Sequence, residues 1–332
     1  RMARIWLMTA GLSLALALPL SAEYAAVPFI DGHTHFSGED IPSSIVSALA
    51  GLERENAAMV FFLPPPDTFD NPKLYDAEVI LKAAREHKDK FAVLGGGGSL
   101  NPMIHQAVVS GDAGPAVRAK FRKRAEQLVK EGVVGFGEMT CEHFAGGTPY
   151  QYAPADHPLF LLLADIAAKH GKPIVLHMEA VPQAMPLPEE LKSPPNPPEL
   201  HENIAAFERL LAHNKKAKII WAHAGTDGTG FRTPDLMRRL LQAHANLFME
   251  LKLDGSPDAK NPPLVEGKAA PDWLKLIQDF PDRFIMGTDQ HYPEAPGGQR
   301  WRAPVQFLNS LPDPLQPFVA KKNALRIYGM TK

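Results

Sequence analysis

The chain has 332 residues, enough for one large α/β domain or two small ones. Its 35 basic side chains nearly balance 37 acidic ones, which leaves no electrostatic footprint for nucleic acid, and its 45% apolar content excludes a disordered chain. A single cysteine, Cys141, excludes an internal disulfide and a cysteine-built zinc framework.

The first segment differs in kind from the rest. Arg1 and Arg4 flank the start of an apolar run over 5–18, and Pro-Leu-Ser-Ala follows at 19–22. A charged start, an apolar stretch and small residues make the pattern of a secretory signal peptide, with cleavage expected after Ala22. The run is short for a membrane span, and Pro19 interrupts it. No cysteine follows that could carry a lipid anchor. The expectation is a removed leader over 1–22 and a mature domain over 23–332, periplasmic or secreted and free of the membrane.

From there apolar β-rich runs alternate with amphipathic segments. Strands are predicted over 27–35, 57–63, 91–96, 133–138, 173–177, 217–223, 246–252 and 283–289. Helical patterns lie between them over 43–56, 72–87, 115–130, 158–170, 200–213, 234–243 and 271–280, and a last helix over 317–328 closes the chain. Several open on proline, which suits a first helical turn. The basic helix over 117–130 spaces Phe121, Ala125, Leu128 and Val129 for the inside and its charges for solvent.

Eight βα units over about 300 residues predict a single (β/α)8 TIM barrel. Its strands are near-continuous apolar runs, as parallel strands covered on both faces should be. A doubly wound open sheet is the competing architecture. No Gly-x-Gly-x-x-Gly opens a helix after the first strand, and the glycine-dense stretch 94–100 belongs to the third unit as a tight βα turn. The proline-rich stretches 182–198 and 257–271 read as long βα loops, at the face where barrel active sites lie.

The ends of the strands carry the chemistry. The first ends in His33-Thr34-His35, whose i, i+2 spacing aims two imidazoles at one point. The fourth ends in Glu138, the fifth in His177, the sixth in His223 and the eighth in Asp289. Singly, a strand-end histidine is a common structural residue, and Asp289 could cap a turn. Together, four imidazoles and two carboxylates around one opening are costly to hold without a cation. That donor set suits zinc, iron or manganese.

The motifs "DGHTHF", "VLHME", "WAHAG" and "MGTDQ", with the tail "KKNALRIYGM", resemble those of the amidohydrolase superfamily, in its family-2 branch. The likeness runs from about Val27 to the C-terminus. Many binuclear members carry a carboxylated lysine on strand four. Here Glu138 stands in its place, as in TatD-type hydrolases. The resemblance implies one metal on His33, His35 and Asp289, a second on His177 and His223, and Glu138 spanning both. A mononuclear site on His33, His35, His177 and Asp289 is the alternative, with His223 helping to activate water. Zinc, two ions per chain, is expected first, with manganese or iron as alternatives.

The implied activity is hydrolysis of a small ester, lactone or amide by metal-activated hydroxide, with Asp289 as proton shuttle. A mononuclear decarboxylase of an aromatic acid, a TatD-like phosphodiesterase and a catalytically silent metal-binding barrel are the rivals. The partner is then a small molecule, and an oligomer is compatible with the sequence. Lys252, Glu179 and His291 are candidate substrate residues, followed by Glu142, His143 and Tyr292. Lys252 could hold a substrate carboxylate, or could pair with Glu250 or Asp254. Arg300 and Arg302 could meet an anion or lie in a surface turn, and Cys141 reads as a plain buried thiol.

Overall fold

The computed structural model describes residues 24–144, 149–192, 195–253 and 259–331. The expected leader, 1–22, lies outside the described residues, as does 254–258 between β7 and α8. Strands and helices alternate: β1 Phe29–Phe36, α1 Ile41–Glu55, β2 Ala57–Leu63, α2 Glu78–Glu86, β3 Phe91–Val93, α3 Leu100–Ser110, α4 Pro115–Glu131, β4 Phe136–His143, α5 Pro158–His170, β5 Ile174–Met178, α6 Ile204–His213, β6 Ile219–Ala224, α7 Pro234–Ala243, β7 Leu247–Leu251, α8 Pro271–Asp279, β8 Phe284–Met286, α9 Arg302–Ser310 and α10 Asn323–Tyr328. Among the described residues no helix is long and apolar enough to cross a membrane.

All the principal strands pair in parallel. One sheet runs in the order Gln290–Tyr292, β1, β2, β3. The other runs β8, β7, β6, β5, β4, Gly95–Gly96. The segment 91–96 feeds both sheets, and so does 284–292. At the first junction Leu94 N donates to the Phe62 carbonyl at 2.9 Å and Gly95 N to the Gly135 carbonyl at 3.2 Å.

Alternation along the strands splits the apolar residues into two cores. Ile30, Phe61, Val175, Ile220, Phe248 and Ile285 form one, with Ile327 and Tyr328 of α10 packed into it. Phe29, Phe62, Phe136, Trp221, Met249 and Phe284 belong to the other, shared with the helices. Each such side chain contributes about 1.5–3 kcal/mol by leaving water. Strands apolar on both faces must be covered on both, which is why the parallel pattern was readable in the sequence.

The helices start where local chemistry permits. Asp40 caps α1 by accepting from Ser43 N at 3.1 Å, with Pro42 in the first turn, and Asn56 closes it in a left-handed conformation. Thr233 caps α7 in the same way, accepting from Leu236 N at 3.1 Å. In α4, Phe121, Ala125 and Leu128 are buried as expected.

Several features depart from expectation. β4 runs on to His143 because its far end pairs antiparallel with Gln151–Tyr152, so Glu138 lies within the strand rather than at its end. The helix expected from Pro72 begins only at Glu78, since Tyr75 Oη donates to the Phe36 carbonyl at 2.7 Å and holds that stretch as a loop. Helices α3 and α9 stand where no helix was expected.

Candidate metal centre

β1 brings His33 and His35 to one side, with ring centroids 5.1 Å apart. Thr34 between them turns away and donates to the Phe61 carbonyl at 2.8 Å. His223, the last residue but one of β6, has φ 64°, and Asp289, after β8, has φ 56°. Both are left-handed conformations that non-glycine residues rarely adopt, at a cost of about 1–3 kcal/mol. Backbone bonds hold them there: Asp289 N donates to the His33 carbonyl at 2.9 Å, and the His223 carbonyl accepts from Thr226 N at 3.0 Å. Asp31 ties the same junction, accepting from Thr288 N at 2.9 Å and Thr288 Oγ1 at 2.6 Å.

Glu138 lies at the centre of four imidazoles. Its Oε1 is 2.9 Å from His177 Nδ1 and 3.0 Å from His223 Nε2. Its Oε2 is 3.3 Å from His35 Nε2 and 3.5 Å from His33 Nε2. Asp289 Oδ1 stands 3.1 Å from His35 Nε2 and 3.8 Å from His33 Nε2. The other Asp289 oxygen, Oδ2, accepts from Lys252 Nζ at 2.9 Å and from Arg300 Nη1. All six expected ligands therefore converge.

Electrostatics tie the cluster together. Burial disfavours the charged form of His35, but its hydrogen bonds to Asp289 and Glu138, which accept, outweigh it and raise the group to about 9. His177 is raised to about 9 in the same way, with burial opposed by Glu138 and Glu179. Burial pushes Glu138 up, yet His33, His177 and His223 hold it well below the usual carboxylate range. Asp289 is also well below its usual range, with burial overcome by Lys252 and His35 together. Burial drives His223 the other way, well below an ordinary histidine.

The residues fit a divalent cation. Two sets of donor atoms, His33 with Glu138 and His223, and His33 with His35 and Asp289, each lie within 4.8 Å of one another and are buried. His33 Nε2, which belongs to both sets, is buried with no hydrogen-bond partner, a costly state unless something else meets it. Imidazole nitrogen with carboxylate oxygen is a donor set for zinc, iron or manganese.

A cavity of about 690 Å³ opens over the cluster, walled by the loop after β2 (Pro65, Asp67, Asn71) and by Gln151, Lys252 and Arg300. His291 lines it 4.8 Å from the His35 ring, and burial with nearby His35 lowers it to about 3. His143 packs 4.4 Å from the His177 ring, and burial with His177 lowers it to about 4. Glu179 accepts from Gly228 N at 3.1 Å and stands 3.8 Å from His177 Nε2, behind that ring. Glu142 ties loops instead, accepting from Tyr150 Oη and Asn203 Nδ2, each at 3.0 Å. Tyr292 is buried beside Phe62 and Gly51, Arg302 stacks on Trp301, and the Cys141 thiol is buried.

Two residues differ from the sequence expectation. Arg300 reaches Asp289 from an exposed surface segment, and Lys252 pairs with Asp289. A third, Glu250, was considered only as a partner for Lys252. It is wholly buried, with Oε2 2.8 Å from His33 Nδ1. Its signal in the sequence was a charged residue inside the apolar run "LFMEL", two positions before Lys252 and so on the same face.

Fold and cluster together define an α/β protein with a candidate metal centre where its parallel strands end. No protein-family model matches the chain, and no curated protein matches it. Solved structures do. It resembles 2,6-dihydroxybenzoate decarboxylase from Rhizobium at 14% identity, covering 91% of this chain and 99% of that one, with a TM-score of 0.54. A probable 2-pyrone-4,6-dicarboxylic acid hydrolase from Acinetobacter baumannii, with citric acid bound, is similar at 13% identity, 92% and 100% coverage and a TM-score of 0.52. So is 5-carboxyvanillate decarboxylase from Novosphingobium aromaticivorans, complexed with manganese and 4-hydroxy-3-methoxy-5-nitrobenzoic acid, at 12% identity, 92% and 97% coverage and a TM-score of 0.52. At this identity the likeness shows a shared fold.

Proposed function

We propose that this protein is a metal-dependent hydrolase of the amidohydrolase superfamily, built on a closed (β/α)8 barrel and acting on a small ester, lactone or amide. The observation that carries the proposal is the placement of Glu138, with two imidazoles against each of its oxygens. A carboxylate so placed is suited to span two cations. His33, His35 and Asp289 would hold one, His177 and His223 the other, with zinc first and manganese or iron as alternatives. When bound, a divalent cation supplies Lewis acidity, polarising an acyl oxygen and making water a better nucleophile near neutral pH.

The chain's own groups supply the rest. Asp289 has Oδ2 fixed by Lys252 and Arg300, which orients Oδ1 toward the centre. From there the carboxylate takes a proton from the attacking water and passes it to the leaving group. Lys252 and Arg300 line the cavity and provide positive charge for a substrate carboxylate or a developing oxyanion. Neutral His291 and His143 offer hydrogen bonds from the wall. His223, held neutral by burial, keeps a lone pair available.

A second reading, decarboxylation of an aromatic acid at one metal, is favoured by Lys252 and Arg300 in the cavity wall, which suit an acid substrate, and by the fold shared with decarboxylases. Metal counting with a substrate screen separates the two. The metal-free protein is titrated with zinc and with manganese, then offered lactones, esters, amides and hydroxybenzoates. Two equivalents per chain with acyl hydrolysis is the expected result. One equivalent with carbon dioxide release moves the assignment to the decarboxylase, and a protein that binds neither metal defeats both.

A further inference from the structure

Glu250 is wholly buried in β7, and no step of the proposed chemistry uses it. Its Oε2 accepts from His33 Nδ1 at 2.8 Å. Its Oε1 accepts from the His223 backbone N at 3.5 Å and stands 3.6 Å from His223 Nδ1. One carboxylate thus backs two rings, one on β1 and one on β6. Room for it is made by Gly287: a Cβ there would lie 2.5 Å from Glu250 Cγ and Cδ.

The rear atom of both rings is Nδ1 and the forward atom is Nε2. His223 Nε2 lies 3.0 Å from Glu138, and His33 Nε2 is buried without a hydrogen-bond partner. An imidazole that binds a cation through one nitrogen carries its proton on the other. An anionic acceptor behind Nδ1 keeps the proton there, fixes the ring plane and makes Nε2 a better donor. Burying a carboxylate in a strand interior is costly unless such partners satisfy it.

We propose that Glu250 is a positioning residue of the metal centre, gripping the His33 ring by Nδ1 and the His223 turn by its backbone so that both Nε2 atoms face the cation. The inference rests on the metal-centre reading. Its test is zinc affinity, measured by chelator competition on metal-free wild type, Glu250→Gln and Gly287→Ala. Glutamine keeps the volume and can accept one Nδ1–H, but it removes the charge and presents a donor to the second ring. Gly287→Ala leaves the carboxylate in the chain and displaces it, so the test survives if the first variant fails to fold. Zinc binding weakened about 10- to 100-fold is expected in each folded variant. In zinc-loaded wild type, labelled histidine should show a slowly exchanging proton on His33 Nδ1, shifted in Glu250→Gln. Folded variants that bind zinc within about twofold of wild type, or a His33 coordinated through Nδ1, overturn the proposal. Failure of the wild type to bind zinc overturns the metal-centre reading with it, whereas wild-type binding with unaffected variants overturns this inference alone.

Discussion

Asp289 faces opposite demands on its two oxygens. Oδ1 points to His35, while Oδ2 is held by Lys252 and Arg300. Burial alone would raise its affinity for a proton, but Lys252 and His35 together reverse that. Such a carboxylate is a weak resting base, and it accepts a proton usefully only as a water in front of it becomes acidic. Replacing it with asparagine removes the charge and leaves two cations without their shared anion. Asp289→Asn is expected to lower kcat at least about 100-fold on the best substrate of the screen, with far-UV circular dichroism unchanged. Near-normal turnover would assign proton transfer elsewhere. Asp289 was legible because "GTDQ" stops an apolar run. Arg300 was legible only as one of two arginines that could meet an anion or lie in a surface turn, because it returns to the site from eleven residues further along the chain, with no periodicity to mark it. Glu250 was missed because beside Lys252 it reads as half of a local ion pair.

Elements defined by local chemistry were the legible ones. α5 and α7 begin on proline and match their expected bounds, since capping and the first turn decide where a helix starts. The loop after β2 was not legible, because long-range contacts shape it. It packs on the turn at Gly95–Gly98, where a Cβ on Gly97 would overlap the Pro64 carbonyl and one on Gly98 the Tyr75 carbonyl. Asp76 closes the junction, accepting from Gly96 N at 2.8 Å, Ala77 N at 2.7 Å and Ser99 Oγ. The glycine-dense stretch is thus a close-approach surface that seats one wall of the cavity. Gly98→Ala meets backbone, which must move. A destabilisation of about 1–3 kcal/mol is expected by denaturant unfolding, with a raised KM because Asp67 and Asn71 shift with the loop. Wild-type stability and KM in this variant would mean that the loop does not rest on the glycines.

Over the whole molecule, residues from 33 to 289 are drawn to one point, and protons bound there in the metal-free protein occupy the place of cations. His35 and His177, ordinarily near 6.5, are each raised to about 9 by the carboxylates around them. A histidine raised on folding stabilises the native state fully below its unfolded value, and that contribution is lost as pH climbs through the folded one. The metal-free protein should therefore lose stability between about pH 6.5 and 9, on the order of a few kcal/mol. Glu55 acts in the same direction, since burial and then Asp31 raise it to about 8, but it pairs with Arg54 away from the metal centre and titrates whether or not metal is bound. A cation held by the imidazoles makes their deprotonation favourable and removes only the histidine part of the slope. The difference in Tm between zinc-loaded and metal-free protein is accordingly expected to widen from pH 6.5 to 9, with protons released on zinc binding at neutral pH. A difference that stays constant or narrows over that interval would mean that the raised imidazoles are not the groups that take the metal.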